Sequence, residues 1–263
     1  MSSSPRTFGK KTLIQFFCLL CLLISPWIVG TGCAVQKGES AAGQPSESQS
    51  GPIFQIPPHL PDENDLHRGL EALETSPNDP ALQLRTGILY QQLSQPDRWS
   101  YLDEAITLLT QATQALPENA EGRMYLGLSK AAKAKDPDVG LLKKLGLARA
   151  GFAAMDEAIN LDPDNLSLRL LRAKASLIAP GLLGRSSLLK EDRAWIAGQT
   201  AKTEEVPLHL LAMSFIFLGD HAHRISRDSE TAQAFYHSAR KAGRGTPWEE
   251  KAQNRLDGVP SEF

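Results

Sequence analysis

The chain has 263 residues, 41% of them hydrophobic and 22% charged, with a formal net charge of -2. That length suits one folded domain or a repeat array, and the near-neutral balance excludes an electrostatic grip on DNA or RNA. The three cysteines, Cys18, Cys21 and Cys33, all lie near the N-terminus, so neither a disulfide framework nor a paired-cysteine zinc site is open to the folded part. In chain order, the first element is a leader. Arg6, Lys10 and Lys11 are the only charges before Cys33, and an apolar run over residues 13–29 follows them. Gly30, Thr31 and Gly32 then lead to Cys33. A positive head, an apolar middle and a small-residue exit are the parts of a secretory signal. Pro26 ends the helical middle and leaves the exit extended for a peptidase. Retention of the run as an uncleaved anchor is the alternative, because about 20 apolar residues span a bilayer. Either fate places the folded part outside the cytoplasm.

Gly30-Thr31-Gly32-Cys33 resembles a bacterial lipoprotein signal. Small Thr31 and Gly32 directly before Cys33 match; Gly30 departs, since the family carries Leu or another aliphatic there, and Val29 is one step early. The resemblance implies that Cys33 becomes the acylated first residue of the mature chain, a lipidation site held in the membrane at about 0.8 kcal/mol per buried methylene. Ala34, in place of an inner-membrane retention Asp, points to the outer membrane in a cell that has one. Residues 1–32 are thus read as signal and residues 33–62, rich in Gly, Ser, Gln and Pro, as a flexible tether.

From Leu66 onward the apolar spacing is helical. Leu102, Ala105, Ile106, Leu109, Ala112, Thr113 and Leu116 form one stripe at a period of about 3.6 residues. Gly151, Phe152, Met155, Ala158 and Ile159 repeat it. Pro77, Pro117 and Pro163 close equivalent helices, because proline disfavours helix in the residue before it. Asp79, Asn119 and Asn165, each two residues later, are caps for the helices that follow. Gly87, Gly127 and Ala173 stand ten residues after the prolines, small where two helices are expected to approach closely. Self-similarity at a period near 40 residues predicts stacked helical hairpins.

These residues resemble tetratricopeptide repeats. Gly87, Tyr90, Ala105, Ala112 and Pro117 match one unit; Leu126, Gly127, Ala158 and Pro163 match the next, with Gly151 replacing its first Ala. The family unit is about 34 residues, whereas the prolines here are 40 and 46 apart, which predicts extra residues between paired helices, around residues 95–100 and 136–145. The resemblance implies an all-α fold, a right-handed superhelix of antiparallel helix pairs with three to four hairpins and a capping helix. Residues 63–180 would carry the repeats. The concave face would be lined by first helices of successive hairpins and would bind a partner through Leu84, Ile88, Gln91, Met124, Leu128, Ala131, Leu170, Lys174 and Leu177.

Residues 181–258 read as degenerate repeats and a cap, followed by a tail over residues 259–263. Leu188, Leu189, Asp192, Trp195 and Ile196 predict one helix, residues 208–218 a strongly apolar one, and Ala232, Tyr236 and Ala239 another. Pro247 suits the first turn of a last helix running toward Leu256. Residues 179–184 interrupt the pattern as a turn or a functional loop. His221 and His223 are two apart, so on a helix they point in different directions and cannot share a metal ion. No nucleophile elbow, phosphate loop or zinc-protease motif occurs. The expectation is a non-catalytic scaffold, without cofactor or metal, tethered to the envelope by an N-terminal lipid and binding another protein or peptide segment in assembly, secretion or transport machinery. The alternative is a small-ligand-binding accessory of a periplasmic solute transporter, its pocket lined by the apolar residues 212–218.

Overall fold

The computed structural model describes residues 60–202 and 204–258. Cys33, the leader, nearly all of the tether and the tail lie outside the described residues. Within them the chain forms ten α-helices and no strand. They are α1 (Glu63–Thr75), α2 (Pro80–Leu93), α3 (Trp99–Ala115), α4 (Ala120–Lys133), α5 (Leu141–Leu161), α6 (Leu166–Leu177), α7 (Ser186–Thr200), α8 (Leu208–His221), α9 (Ser229–Ala242) and α10 (Pro247–Leu256).

The turns explain why the helices start and stop where they do. After α1, α3 and α5 the last carbonyls are met by the backbone N–H groups of Ser76, Leu116 and Asp162, which donate to Ala72, Ala112 and Ala158. A proline follows in each case. Two residues further on, the side chains of Asp79, Asn119 and Asn165 accept from backbone N–H groups of α2, α4 and α6, satisfying donors that a helix start leaves open. Six residues after each proline a long polar side chain reaches back to the proline carbonyl: Gln83 Nε2 to Pro77 at 2.8 Å, Arg123 Nε to Pro117 at 3.0 Å, Arg169 Nε to Pro163 at 2.7 Å. The turn from α9 to α10 follows the same plan without proline. Gly243 N–H donates to Ala239, and Thr246 caps α10.

Consecutive helices pack as α2 with α3, α4 with α5, α6 with α7 and α8 with α9. The helices α2, α4, α6, α8 and α10 also touch one another in that order, forming a single row. Such nearest-neighbour packing is compatible with an α-solenoid. Small residues set the closest approach. A Cβ on Gly151 would stand 2.6 Å from the Gly127 carbonyl oxygen and 2.8 Å from the Ala131 nitrogen, so α4 and α5 meet backbone to backbone. The apolar interior is built from Leu102, Ala105, Leu109 and Ala112 of α3, Met155 and Ala158 of α5, and Phe217 and Leu218 of α8, all at 2% exposure or less.

Two details depart from the sequence expectation. The extra residues of the second hairpin do not all form a connection; from Leu141 they are helix and lengthen α5 to 21 residues. Leu141, Leu142, Lys143, Lys144 and Leu145 are strong helix formers with no breaker among them, so the helix begins directly after Gly140. The second is an ion network inside the stack. Arg172 holds Asp192 through Nε to Oδ2 at 2.8 Å and Nη2 to Oδ1 at 2.7 Å, and Arg169 Nη1 reaches the same Oδ1 at 3.1 Å. Arg185 grips Asp156 with two bonds of 2.7 Å, and Arg172 also donates to it. Trp195 and Phe152 cover the guanidinium groups of Arg169 and Arg185. Asp192 is fully buried, so α5, α6 and α7 are joined by paired charge as well as by apolar contact. Residues 179–184 make a short connection, a 3-10 turn at Gly181–Leu183 closed by Gly184 at φ 65°.

Candidate functional site: the face of the first-helix row

The turn chemistry gives α2, α4 and α6 a common register, counted from the proline. Positions plus four, plus seven, plus eight and plus eleven lie on one face. On α2 these are Ala81, Leu84, Arg85 and Ile88; on α4 they are Glu121, Met124, Tyr125 and Leu128. Between α2 and α4 this face opens into a cleft of about 330 Å³ whose walls include Leu84, Ile88, Leu89, Gln92, Glu121 and Tyr125. Gln92 Nε2 donates to the Tyr125 hydroxyl at 3.0 Å across the cleft. Burial pushes that phenol up, and nearby Glu121 adds to the effect. Burial pushes the Glu121 carboxyl up to about 7, and Arg85 and Asp65 stand in the same lining. The arrangement is an apolar floor of Leu84, Ile88 and Leu89 with the part-buried carboxyl of Glu121 in its wall and charged Asp65 and Arg85 also in the lining, suited to recognising an apolar group beside polar ones.

The next helix of the row, α6, carries the opposite sign on this face. Lys174 of α6 is half-buried, and its ammonium is held down at about 8, first by burial, then by Lys251 and Arg255, with Asp220 opposing. Asp220 is occupied elsewhere. The Tyr236 hydroxyl donates to it at 2.9 Å and Arg255 Nε at 2.8 Å. Lys251 stands 4.5 Å over the Trp248 ring.

The expected partner-binding residues divide accordingly. Leu84 and Ile88 line the cleft; Gln91, Leu128, Ala131 and Lys174 are half-buried. Met124 and Leu170 are fully buried and Leu177 is 7% exposed, so these three are core and offer no surface. At plus seven, α4 and α6 are flanked on both sides by other helices of the row, whereas Leu84 of α2 has only α1 beyond it. Glu121 and Tyr125 escaped the sequence reading. An acid in the first turn of a helix reads as a dipole partner, and the remaining signal was its counterparts at plus four, Ala81 and Ser167, which carry no charge. The apolar segment 212–218 belongs to the interior. Phe217 is 1% exposed, and Phe215 stacks on Phe235 at 6.3 Å. His221 ends α8 buried, with its Nδ1 unpartnered, and a π-type turn at Ala222–Ser226 carries exposed His223 away. Among the described residues no three potential ligands converge on an ion site, and no helix is long and apolar enough to cross a membrane. Comparison of the chain with protein-family models, curated proteins and solved structures found no match in any of the three.

Proposed function

We propose that the protein is an envelope-tethered, extracytoplasmic scaffold of tetratricopeptide type, a right-handed superhelix of helix pairs that binds another protein through the face of its first-helix row and carries out no catalysis. The observation that carries this reading is the cleft between α2 and α4, lined by half-buried Leu84 and Ile88 beside the part-buried carboxyl of Glu121. An amphipathic helix or extended segment fits such a surface, with apolar side chains on the floor and a Lys or Arg against the carboxylate. The repeated cap-and-proline turns support the repeat type, and the small residues at Gly127 and Gly151 support the close pairing it requires. The leader supports the tether, with Cys33 as its acylation site and the outer membrane as its destination.

Affinity capture from the native envelope tests both halves. Wild-type protein is expected in the membrane fraction and Cys33→Ser in the soluble one. Ile88→Asp, which places a further acid in the cleft, is expected to lose the captured partner at least about tenfold while keeping its helical content, because desolvating an unpaired charge opposes docking. Unchanged capture by Ile88→Asp removes the cleft from the interface, and membrane retention of Cys33→Ser removes the acyl anchor.

A further inference from the structure

The two most exposed large apolar side chains among the described residues are neighbours: Leu142 at 86% and Leu141 at 81%. They open α5, in the stretch that lengthens this helix beyond α3. At about 3.6 residues per turn, Leu141, Leu142 and Leu145 share one edge of the helix, with Lys143 on one flank and Lys144 on the other. The surrounding corner is basic. Residues 130–149 hold Lys130, Lys133, Lys135, Lys143, Lys144 and Arg149 against Asp136 and Asp138, a local excess of +4 (six minus two) in a chain of net -2. Lys133 is paired with Asp103 and Asp136, and Asp136 also faces Lys144; these are the acids that compensate part of the charge.

The shape of the corner selects among partners. A protein–protein interface of ordinary strength buries about 1,200–2,000 Å² and seats its anchors in pockets. Here the leucines stand on a projecting helix end, and neither forms part of the cleft described above. A fluid bilayer needs no complementary pocket. It takes in a protruding leucine below its headgroups, while flanking lysines lay their stems along the apolar boundary and leave their ammonium groups among the phosphates.

We propose that the α4–α5 corner is a docking site for an anionic bilayer surface, with Leu141 and Leu142 inserted and Lys143 and Lys144 on the lipid phosphates. The contact is independent of acylation at Cys33 and of the cleft between α2 and α4.

Hydrogen exchange on the purified full chain tests it. The backbone N–H groups of Leu141, Leu142 and Lys143 precede the first intrahelical bond of α5, from Lys144 N–H to Gly140, and Gly140 has no side chain to cap them. They therefore exchange fast in solution and report any cover. On phosphatidylcholine vesicles containing roughly 30% phosphatidylglycerol, exchange over residues 141–147 is expected to slow about fivefold or more relative to pure phosphatidylcholine, the effect of about one lysine at an anionic surface. The N-terminal residues are the same in wild type and variants, so only the slowing that the variants below remove counts. Leu141→Ser with Leu142→Ser, and separately Lys143→Gln with Lys144→Gln, are expected to abolish the slowing. All four side chains lie on the projecting end, and circular dichroism checks that helix is kept. Equal exchange on the two vesicles, or slowing that survives both double variants, overturns the proposal.

Discussion

Two glycines five residues apart on α5 show how differently one residue type is used. Gly151 faces α4 at a distance that leaves no room for a methyl group, its neighbours being the Gly127 carbonyl and the Ala131 nitrogen. Backbone atoms cannot move aside as a flexible side chain can. Gly146 has nothing within 4 Å of where its Cβ would stand. Gly151→Ala is expected to cost about 2–3 kcal/mol through overpacking. Gly146→Ala, in the same helix interior, is expected to stabilise by about 0.5–1 kcal/mol, since alanine loses less backbone entropy in a helix. Urea midpoints of the two variants measure the contrast; equal effects would mean that α4 and α5 do not cross at these residues. The crossing was legible in the sequence because Gly127 and Gly151 stand at positions where the repeated pattern calls for small residues. Glu121 was not legible. Its burial depends on α2 lying over the first turn of α4, and that placement is a tertiary fact with no local residue pattern behind it.

At the scale of elements, the turns carry more of the repeat than the stripes do. Apolar spacing marked α3 and α5, but for α6 the main landmark was Ala173, ten residues after Pro163. The reach of Gln83, Arg123 and Arg169 to the carbonyl six residues back is kept although the side chains differ, because the geometry asks only for a long donor. A pattern held by function of the side chain instead of its identity is hard to see in one sequence. The same limit hid the network around Asp192. Asp192 lies 23 residues after Arg169 and 20 after Arg172, and no local pattern links them. Together they bury three charges that depend on one another. Asp192→Ala is expected to cost about 3–5 kcal/mol, because it leaves Arg169 and Arg172 without their shared acceptor in a dry interface. Glu191→Ala, which removes a mostly exposed contributor on the same helix, is expected to cost less than about 1 kcal/mol. A small loss for Asp192→Ala in urea denaturation would show that water enters the α6–α7 contact and takes over the role of the carboxylate.

Along the row of first helices, α4 and α6 carry part-buried charges of opposite sign, Glu121 and Lys174, and this sets a pH dependence. Glu121 has its pKa raised from 4.5 to about 7. Between these values the folded state holds a proton that the unfolded state has released, so stability falls as pH rises through the window, and the full penalty is present above it. Lys174 has its pKa lowered from 10.5 to about 8. Between those values the unfolded state holds the extra proton, so stability rises with pH there, and the full penalty is present below it. Both penalties are therefore complete near pH 7.5, where these two groups place a trough in the stability profile. Glu121→Gln and Lys174→Met are each expected to raise stability at pH 7.5 by about 1–2 kcal/mol, a figure discounted for partial solvent screening, and to flatten the acid and alkaline slopes respectively. Urea midpoints from pH 4 to pH 10 measure both. A fold that leaves two such charges on one face gives up stability where a partner of opposite polarity would restore it, as recognition surfaces do. The double variant separates folding from binding. It is expected to be the more stable protein and the poorer binder in the envelope capture. Greater stability with undiminished capture would remove both charges from the interface.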